Sequence, residues 1–260
     1  MTGRIRIEKA GAVATLAFDH AKRRNAITVE MWEAIPGAVK SLAEDTSVRA
    51  VVMRGAGDEA FVSGADISEF EKTRTGNAGR EYDRMTASAF EALHQLEKPL
   101  IALVHGFCIG GGAALSLTAD LRYAADDAVF AVPPARLGLG YHTAGIEALV
   151  RTVGAPATAE LLFTARRVDA SAAFQMGLVN QVFAKAELDG AVAKIANTIA
   201  NNAPLTLRSA KATLYELSRP ESERDMAKIG HSIAACYQSE DFREGVKAFL
   251  EKRPPRFVGR

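Results

Sequence analysis

Cysteine is nearly absent: Cys108 and Cys236 are the only two in 260 residues, and they form no CxxC pair. That excludes a disulfide framework and makes a reducing compartment, the cytoplasm, the expectation. Net charge is almost absent too, +1 from 32 basic and 31 acidic residues, so no global field exists to recruit nucleic acid or an anionic membrane. No apolar run approaches the roughly 18 residues of a membrane span. The first twenty residues alternate like a strand and lack the apolar core and cleavage site of a secretory leader. The five histidines form no HExxH motif and no His/Cys cluster, so no metal site is expected. Nucleotide motifs are missing as well: no Walker A pattern occurs, and no glycine cluster fits GxGxxG.

What remains is an ordinary globular composition, 48% apolar and 24% charged, in a chain long enough to bury a large core. The first half alternates β-branched runs with amphipathic stretches. Strands are predicted over 5–8, 13–18, 50–54, 100–104, around Tyr123 and over 129–131. Helices are predicted between them over 28–44, with a stripe of Met31, Ile35, Val39 and Leu42 behind a capping Thr28, and over 77–97, ending before Pro99. After about residue 144 the pattern is almost wholly helical. Helices are predicted at 144–154, 157–165, 169–177, 186–202, 204–218, 221–237 and 239–252, with Asp169 and Ser239 at starts and Gly177 at an end. Repeated strand, strand, helix units fit an α/β spiral of ββα turns or a doubly wound sheet, and periodicity does not separate the two. The expected division is a core over 1–200 and a helical region over 201–260.

Two glycine-bearing turns stand out. HGFCIGGGAALSL, from His105 to Leu117, joins an apolar strand to an apolar helix through Gly110, Gly111 and Gly112. Glycine permits close approach and unusual φ, and a helix start presents N–H groups without intrahelical partners, a combination suited to developing negative charge. The second turn is AFVSGADISEF at 60–70, where Gly64 and Ala65 follow an extended segment and Asp66 can open a helix. Each turn alone is also compatible with plain packing; together they make converging N–H donors plausible.

NAIT at 25–28, AFVSGADISEF at 60–70, KPLIALVHGFCIGGGAALSLTADLRYA at 98–124, ARLGLG at 135–140, LLFTARRVDASAAFQMGLVNQV at 161–182 and FLEKRPPRF at 249–257 fall in one order and spacing. In these segments, which span nearly the whole chain, the sequence resembles the crotonase, or enoyl-CoA hydratase/isomerase, superfamily. The resemblance implies a spiral core of ββα units, a C-terminal helical trimerisation region, a homotrimer or dimer of trimers, and an acyl-CoA thioester substrate. Coenzyme A then enters as part of the substrate, and no separate cofactor is implied. It further implies that the N–H groups of Ala65 and Gly111 form an oxyanion hole around the thioester carbonyl. Adenine would lie near Ala65, Asp66 and Ile67, the phosphates near Lys22 and Arg23, and Phe249 with Lys252 of a neighbouring subunit near the nucleotide.

The departures from that family matter as much. The two glutamates of the hydratases fall at Ala114 and Pro134, and neither residue can move the protons that hydration needs. The tract AVPPARLGLGYHTAGIEALV and the end YQSEDFREGVKAFLEKRPPRFVG resemble the methylmalonyl-CoA decarboxylase-like branch, which places Tyr141 at the acyl end of the site but a histidine where this chain has Ala65. A lyase decarboxylating a short malonyl-type CoA is therefore the preferred expectation. Alternatives are a hydratase or isomerase with a relocated acid, Glu147 or His142, and a noncatalytic acyl-CoA binding protein.

Overall fold

The computed structural model describes residues 2–69 and 76–260; Phe70, the last residue of the second glycine motif, lies outside them. The strands fall into two sheets. The larger contains β1 (Arg4–Ala10), β2 (Val13–Asp19), β3 (Ala50–Gly55), β5 (Leu100–Val104), β7 (Leu121–Ala125) and β10 (Gln181–Phe183), in the order β1-β2-β3-β5-β7-β10. Only the β1–β2 hairpin is antiparallel; the other pairings are parallel. The smaller sheet has the order β4-β6-β8-β9, from β4 (Ala60–Val62), β6 (Phe107–Ile109), β8 (Val129–Ala131) and β9 (Val168–Asp169). From β3 to β8 successive strands thus go to alternate sheets, which is the spiral and not the doubly wound alternative.

Burial explains the sequence pattern. In β5 every residue is buried, because both faces of a parallel sheet are covered. Leu100, Ala102 and Val104 join the main core with Val51, Met53 and Phe61. Ile101 and Leu103 face the other way, with Val52, onto Leu188, Val192 and Ala196 of a long helix. The helices are α1 (Val29–Glu44), α2 (Gly76–Gln95), α3 (Gly111–Ser116), α4 (Thr143–Thr164), α5 (Ala170–Gln175), α6 (Lys185–Asn201), α7 (Pro204–Leu217), α8 (Met226–Gln238) and α9 (Glu240–Leu250). The three caps lie where the sequence puts them: Thr28, Asp169 and Ser239 accept from the N–H groups of Met31, Ala172 and Phe242.

Two expectations need correction. The strands β4, β6, β9 and β10, of two or three residues each, are not among those expected, and pairing with distant segments sets their extended shape. The helices expected at 144–154 and 157–165 are present as two helical stretches of the segment Thr143–Thr164, separated at Gly154, whose φ of 79° interrupts the ladder. The helix expected from 221 begins instead at Met226, after a 3-10 turn over Glu221–Glu223.

The C-terminal tail folds back on the core. Arg49 donates to the carbonyl of Phe257 at 2.7 Å, and the Asp241 carboxylate accepts from Val258 and Gly259 N–H at 2.6 and 2.9 Å. Arg253 grips Glu244 with two hydrogen bonds of 2.6 and 2.9 Å, and Arg256 N–H adds a third. The Arg253 bonds, aided by Arg256 N–H, hold the Glu244 carboxyl down at about 2. Because this folded-state value lies below the unfolded one, the pairing is fully present above the usual glutamate value and lost as pH falls through the folded one. Amide exchange protection of the tail is expected to fade between about pH 4.5 and about pH 2, and to be insensitive to pH above that window.

Candidate active site

The two glycine turns leave the ends of adjacent strands. β4 and β6 pair in parallel, Ala60 opposite Phe107 and Val62 opposite Cys108, so both chains emerge from the same edge of the small sheet. The expectation that one strand leads directly into the glycine triplet needs refinement: β5 stays in the large sheet, and the chain crosses at His105 and Gly106 to form β6 before reaching Gly110.

Local bonding then fixes which way each N–H points. Ile27 N–H donates to the Gly64 carbonyl, and Asp66 N–H donates to the Ile27 carbonyl, each at 2.8 Å. This parallel bridge uses the residues on either side of Ala65, so the N–H of Ala65 faces away from Ile27 and meets no acceptor among the described residues. Gly64 has φ 114° and Gly110 φ 55°, backbone conformations that L side chains rarely adopt. Gly111 opens α3, and its N–H likewise has no acceptor among the described residues. A methyl group on Gly111 would stand 3.8 Å from the Ala65 nitrogen, whereas one on Gly112 would overlap the Val62 carbonyl. The third glycine therefore lets α3 lie against β4, and that contact brings the two free donors together. Such a pair can hold an oxygen that becomes negative.

Asn25 anchors the approach to this turn. It is buried with φ 55°; its amide donates to the carbonyls of Ala56 and Ala60 at 3.0 and 2.8 Å, and its oxygen accepts from His20 N–H.

The other expected site residues separate into groups. Lys22 and Arg23 lie in a 3-10 turn beside a groove shared with His20, Thr28, Asp66 and Glu69. Burial opposes ionisation of Asp66, yet the Ser68 hydroxyl and N–H and the Arg23 guanidinium, 3.7 Å away, keep its carboxyl below its usual range. Ile67 is exposed in the turn that follows. Phe249 and Lys252 lie at the surface at the end of α9, away from that groove in the single chain.

Ala114 is half-buried one turn into α3, and Pro134 opens a 3-10 turn; neither offers a titratable group. Tyr141 packs against the main core with its hydroxyl buried and without a hydrogen-bond partner among the described residues. Burial pushes that hydroxyl up to about 12, so it remains protonated through the ordinary tyrosine range and is suited to donating. Glu147 is exposed and pairs with Arg151 at 3.6 Å, while His142 is exposed 3.4 Å from Asp83. Cys108, next to the triplet, is wholly buried and pushed up to about 12 by that burial, which leaves it an inert thiol.

Sequence reasoning missed one residue here. Trp32 belongs to the buried stripe of α1, and a methyl group on Gly111 would sit 3.5 Å from its Cζ2. Its being the chain's only tryptophan was the available signal.

A spiral of ββα turns whose paired glycine turns bring together two N–H groups without acceptors among the described residues defines a class of enzymes, the crotonases. The chain belongs to the enoyl-CoA hydratase/isomerase family, which it matches over residues 8–260. It is 34% identical to the short-chain-enoyl-CoA hydratase of Clostridium acetobutylicum, over 95% of this chain and 94% of that protein. It is 31% identical to the methylmalonyl-CoA decarboxylase of Escherichia coli, over 95% of each. A crystal structure of an enoyl-CoA hydratase/isomerase family protein from Hyphomonas neptunium superposes with a TM-score of 0.94 at 35% identity, covering 98% of both chains. Among the described residues no helix is long and apolar enough to cross a membrane.

Proposed function

We propose that the protein is an acyl-CoA lyase that decarboxylates a short malonyl-type thioester, the Ala65 and Gly111 N–H groups forming its oxyanion hole. The observation that carries this reading is the loss of both hydratase acids, at Ala114 and Pro134, from a site whose two backbone donors are intact. In decarboxylation the bond from the α-carbon to the carboxylate breaks, CO2 leaves, and the electron pair enters the thioester as an enolate held by the two N–H groups. A proton then adds to the α-carbon. No carboxylate base takes part, and one would repel the substrate's charge. The Tyr141 hydroxyl contacts the reacting group as a neutral donor. The CoA moiety lies along Ala65, Asp66 and Ile67 with its phosphates near Lys22 and Arg23. Phe249 and Lys252 reach the nucleotide of a neighbour in a homotrimer or dimer of trimers. That assembly is supported by the exposed Leu214, Tyr215, Met226, Tyr237 and Phe249 on α7 to α9.

Hydration is the second reading, favoured by identities of 34% and 35% to proteins named short-chain-enoyl-CoA hydratase and crotonyl-CoA hydratase. It requires an acid such as Glu147 or His142, whose side chains lie in solvent here. Incubation with methylmalonyl-CoA and with crotonyl-CoA separates these readings: CO2 release is expected from the first and no 3-hydroxyacyl product from the second. Tyr141→Phe is expected to lower decarboxylation at least about tenfold, the effect of losing one hydrogen bond to a charged group. Glu147→Gln is expected to leave it within about twofold, as for an exposed ion pair. Tight binding of both thioesters without turnover would instead indicate a noncatalytic binding protein.

A further inference from the structure

The donors at the glycine turns are not limited to the backbone. Trp32 is 2% exposed, and its indole Nε1–H is buried without an acceptor among the described residues. Leaving such a group unpaired is costly, so a buried orphan asks what accepts from it. The local frame that orients Ala65 also orients this ring: Ile27 makes the bridge across Ala65, Thr28 caps α1, and Trp32 N–H donates to the Thr28 carbonyl at 3.1 Å. Phe90 of α2 holds the indole from one side, edge-to-face at 5.4 Å. The edge turned to Gly111 is the one carrying Cζ2 and Cη2, which a methyl on that glycine would meet at 3.5 and 3.9 Å. Cζ2 is two covalent bonds from Nε1. The same point lies 3.8 Å from the Ala65 nitrogen. The ring that carries the third N–H without an acceptor therefore stands beside the two backbone donors, with Cζ2, two bonds from that N–H, as its nearest atom.

We infer that Trp32 is a specificity-determining residue whose indole N–H donates to a second oxygen of the acyl group, selecting thioesters with a carboxylate on the α-carbon over plain alkyl or alkenyl thioesters. In a malonyl-type thioester the carboxylate is one carbon from the thioester carbonyl, so an oxygen in the backbone hole brings a carboxylate oxygen beside it. A saturated acyl chain has nothing to offer the indole. The inference rests on the reading of the hole as the thioester site, and it names the feature of the substrate that the site reads. Held by Nε1–H, the carboxylate is fixed relative to the thioester plane, so the effect falls mainly on binding and KM.

The test compares methylmalonyl-CoA with butyryl-CoA. As Trp32 is the only tryptophan, its fluorescence reports this ring alone. Methylmalonyl-CoA is expected to shift the emission of the wild-type protein to longer wavelength, as an indole N–H gains an acceptor, and butyryl-CoA is not. Calorimetry on Trp32→Phe, which keeps a ring against Phe90, is expected to show binding of methylmalonyl-CoA weakened about tenfold or more and butyryl-CoA within about twofold. Equal weakening of both makes Trp32 a packing residue only and overturns the inference, as does no change in either. If Trp32→Phe does not fold, the wild-type emission decides, and identical spectra with both thioesters overturn the inference. Wild-type protein that binds methylmalonyl-CoA selectively through Trp32 but releases no CO2 would remove the decarboxylase reading while the selectivity stands. CO2 release unaffected by Trp32→Phe, in rate and KM, would do the reverse.

Discussion

Replacing Gly111 with proline is expected to lower kcat/KM for the acyl-CoA by at least about 10²–10³-fold while leaving the thermal midpoint within a few degrees of wild type. A backbone donor is normally beyond the reach of side-chain mutagenesis, but proline has no N–H. Gly111 is the first residue of α3, the position at which helices accept proline best, since that N–H has no intrahelical partner. The preceding Gly110, with φ 55° and ψ −111°, carries no Cβ to clash with the ring. Gly111 itself has room for a Cβ at ordinary contact distance from Trp32. The substitution therefore deletes one of two donors and sets the ring Cδ where its hydrogen pointed, so the loss reaches at least the roughly 10²–10³ in kcat that removing one such donor typically costs. Unchanged turnover in a folded variant would show that the Gly111 N–H does not hold the reacting oxygen.

Asn25→Ala is expected to destabilise the protein by about 3–4 kcal/mol. Three hydrogen bonds are lost, each worth about 1 kcal/mol net. Alanine must also adopt the left-handed φ of 55°, at about 1 kcal/mol. For a chain of this size that corresponds to a fall in thermal midpoint of roughly 10 °C. Asn25→Gly separates the two causes: it relieves the backbone and is expected to recover about 1 kcal/mol, leaving the hydrogen-bond loss in place. Activity is expected to fall as well, because Asn25 holds Ala60 of β4 while Ile27, two residues on, orients Ala65. Thermal midpoints of both variants within about 2 °C of wild type would remove this account.

Much of this was legible in the sequence where local rules act alone. The caps Thr28, Asp169 and Ser239, the stripe of α1 and the buried run of β5 follow from side-chain chemistry and periodicity over neighbouring residues. The division of the segment from 143 to 164 was legible too, since Gly154 and Pro156 read as a boundary and the helical backbone breaks at Gly154. The short strands β4 and β6 were legible only as extended approaches to the glycine turns; their pairing, between residues about 45 apart in the chain, was not.

The sequence by itself determined the family, the glycine turns and the absence of acids at positions 114 and 134, because those are matters of residue identity and order. Tertiary structure alone decided the rest. Pairing of β4 with β6 places both turns at one sheet edge; the Ile27 bridge aims the Ala65 N–H; and burial leaves Trp32 Nε1 and the Tyr141 hydroxyl without acceptors among the described residues. The physical reason is that an N–H direction and the presence or absence of its acceptor depend on which distant segments pack against it, and no local pattern records that.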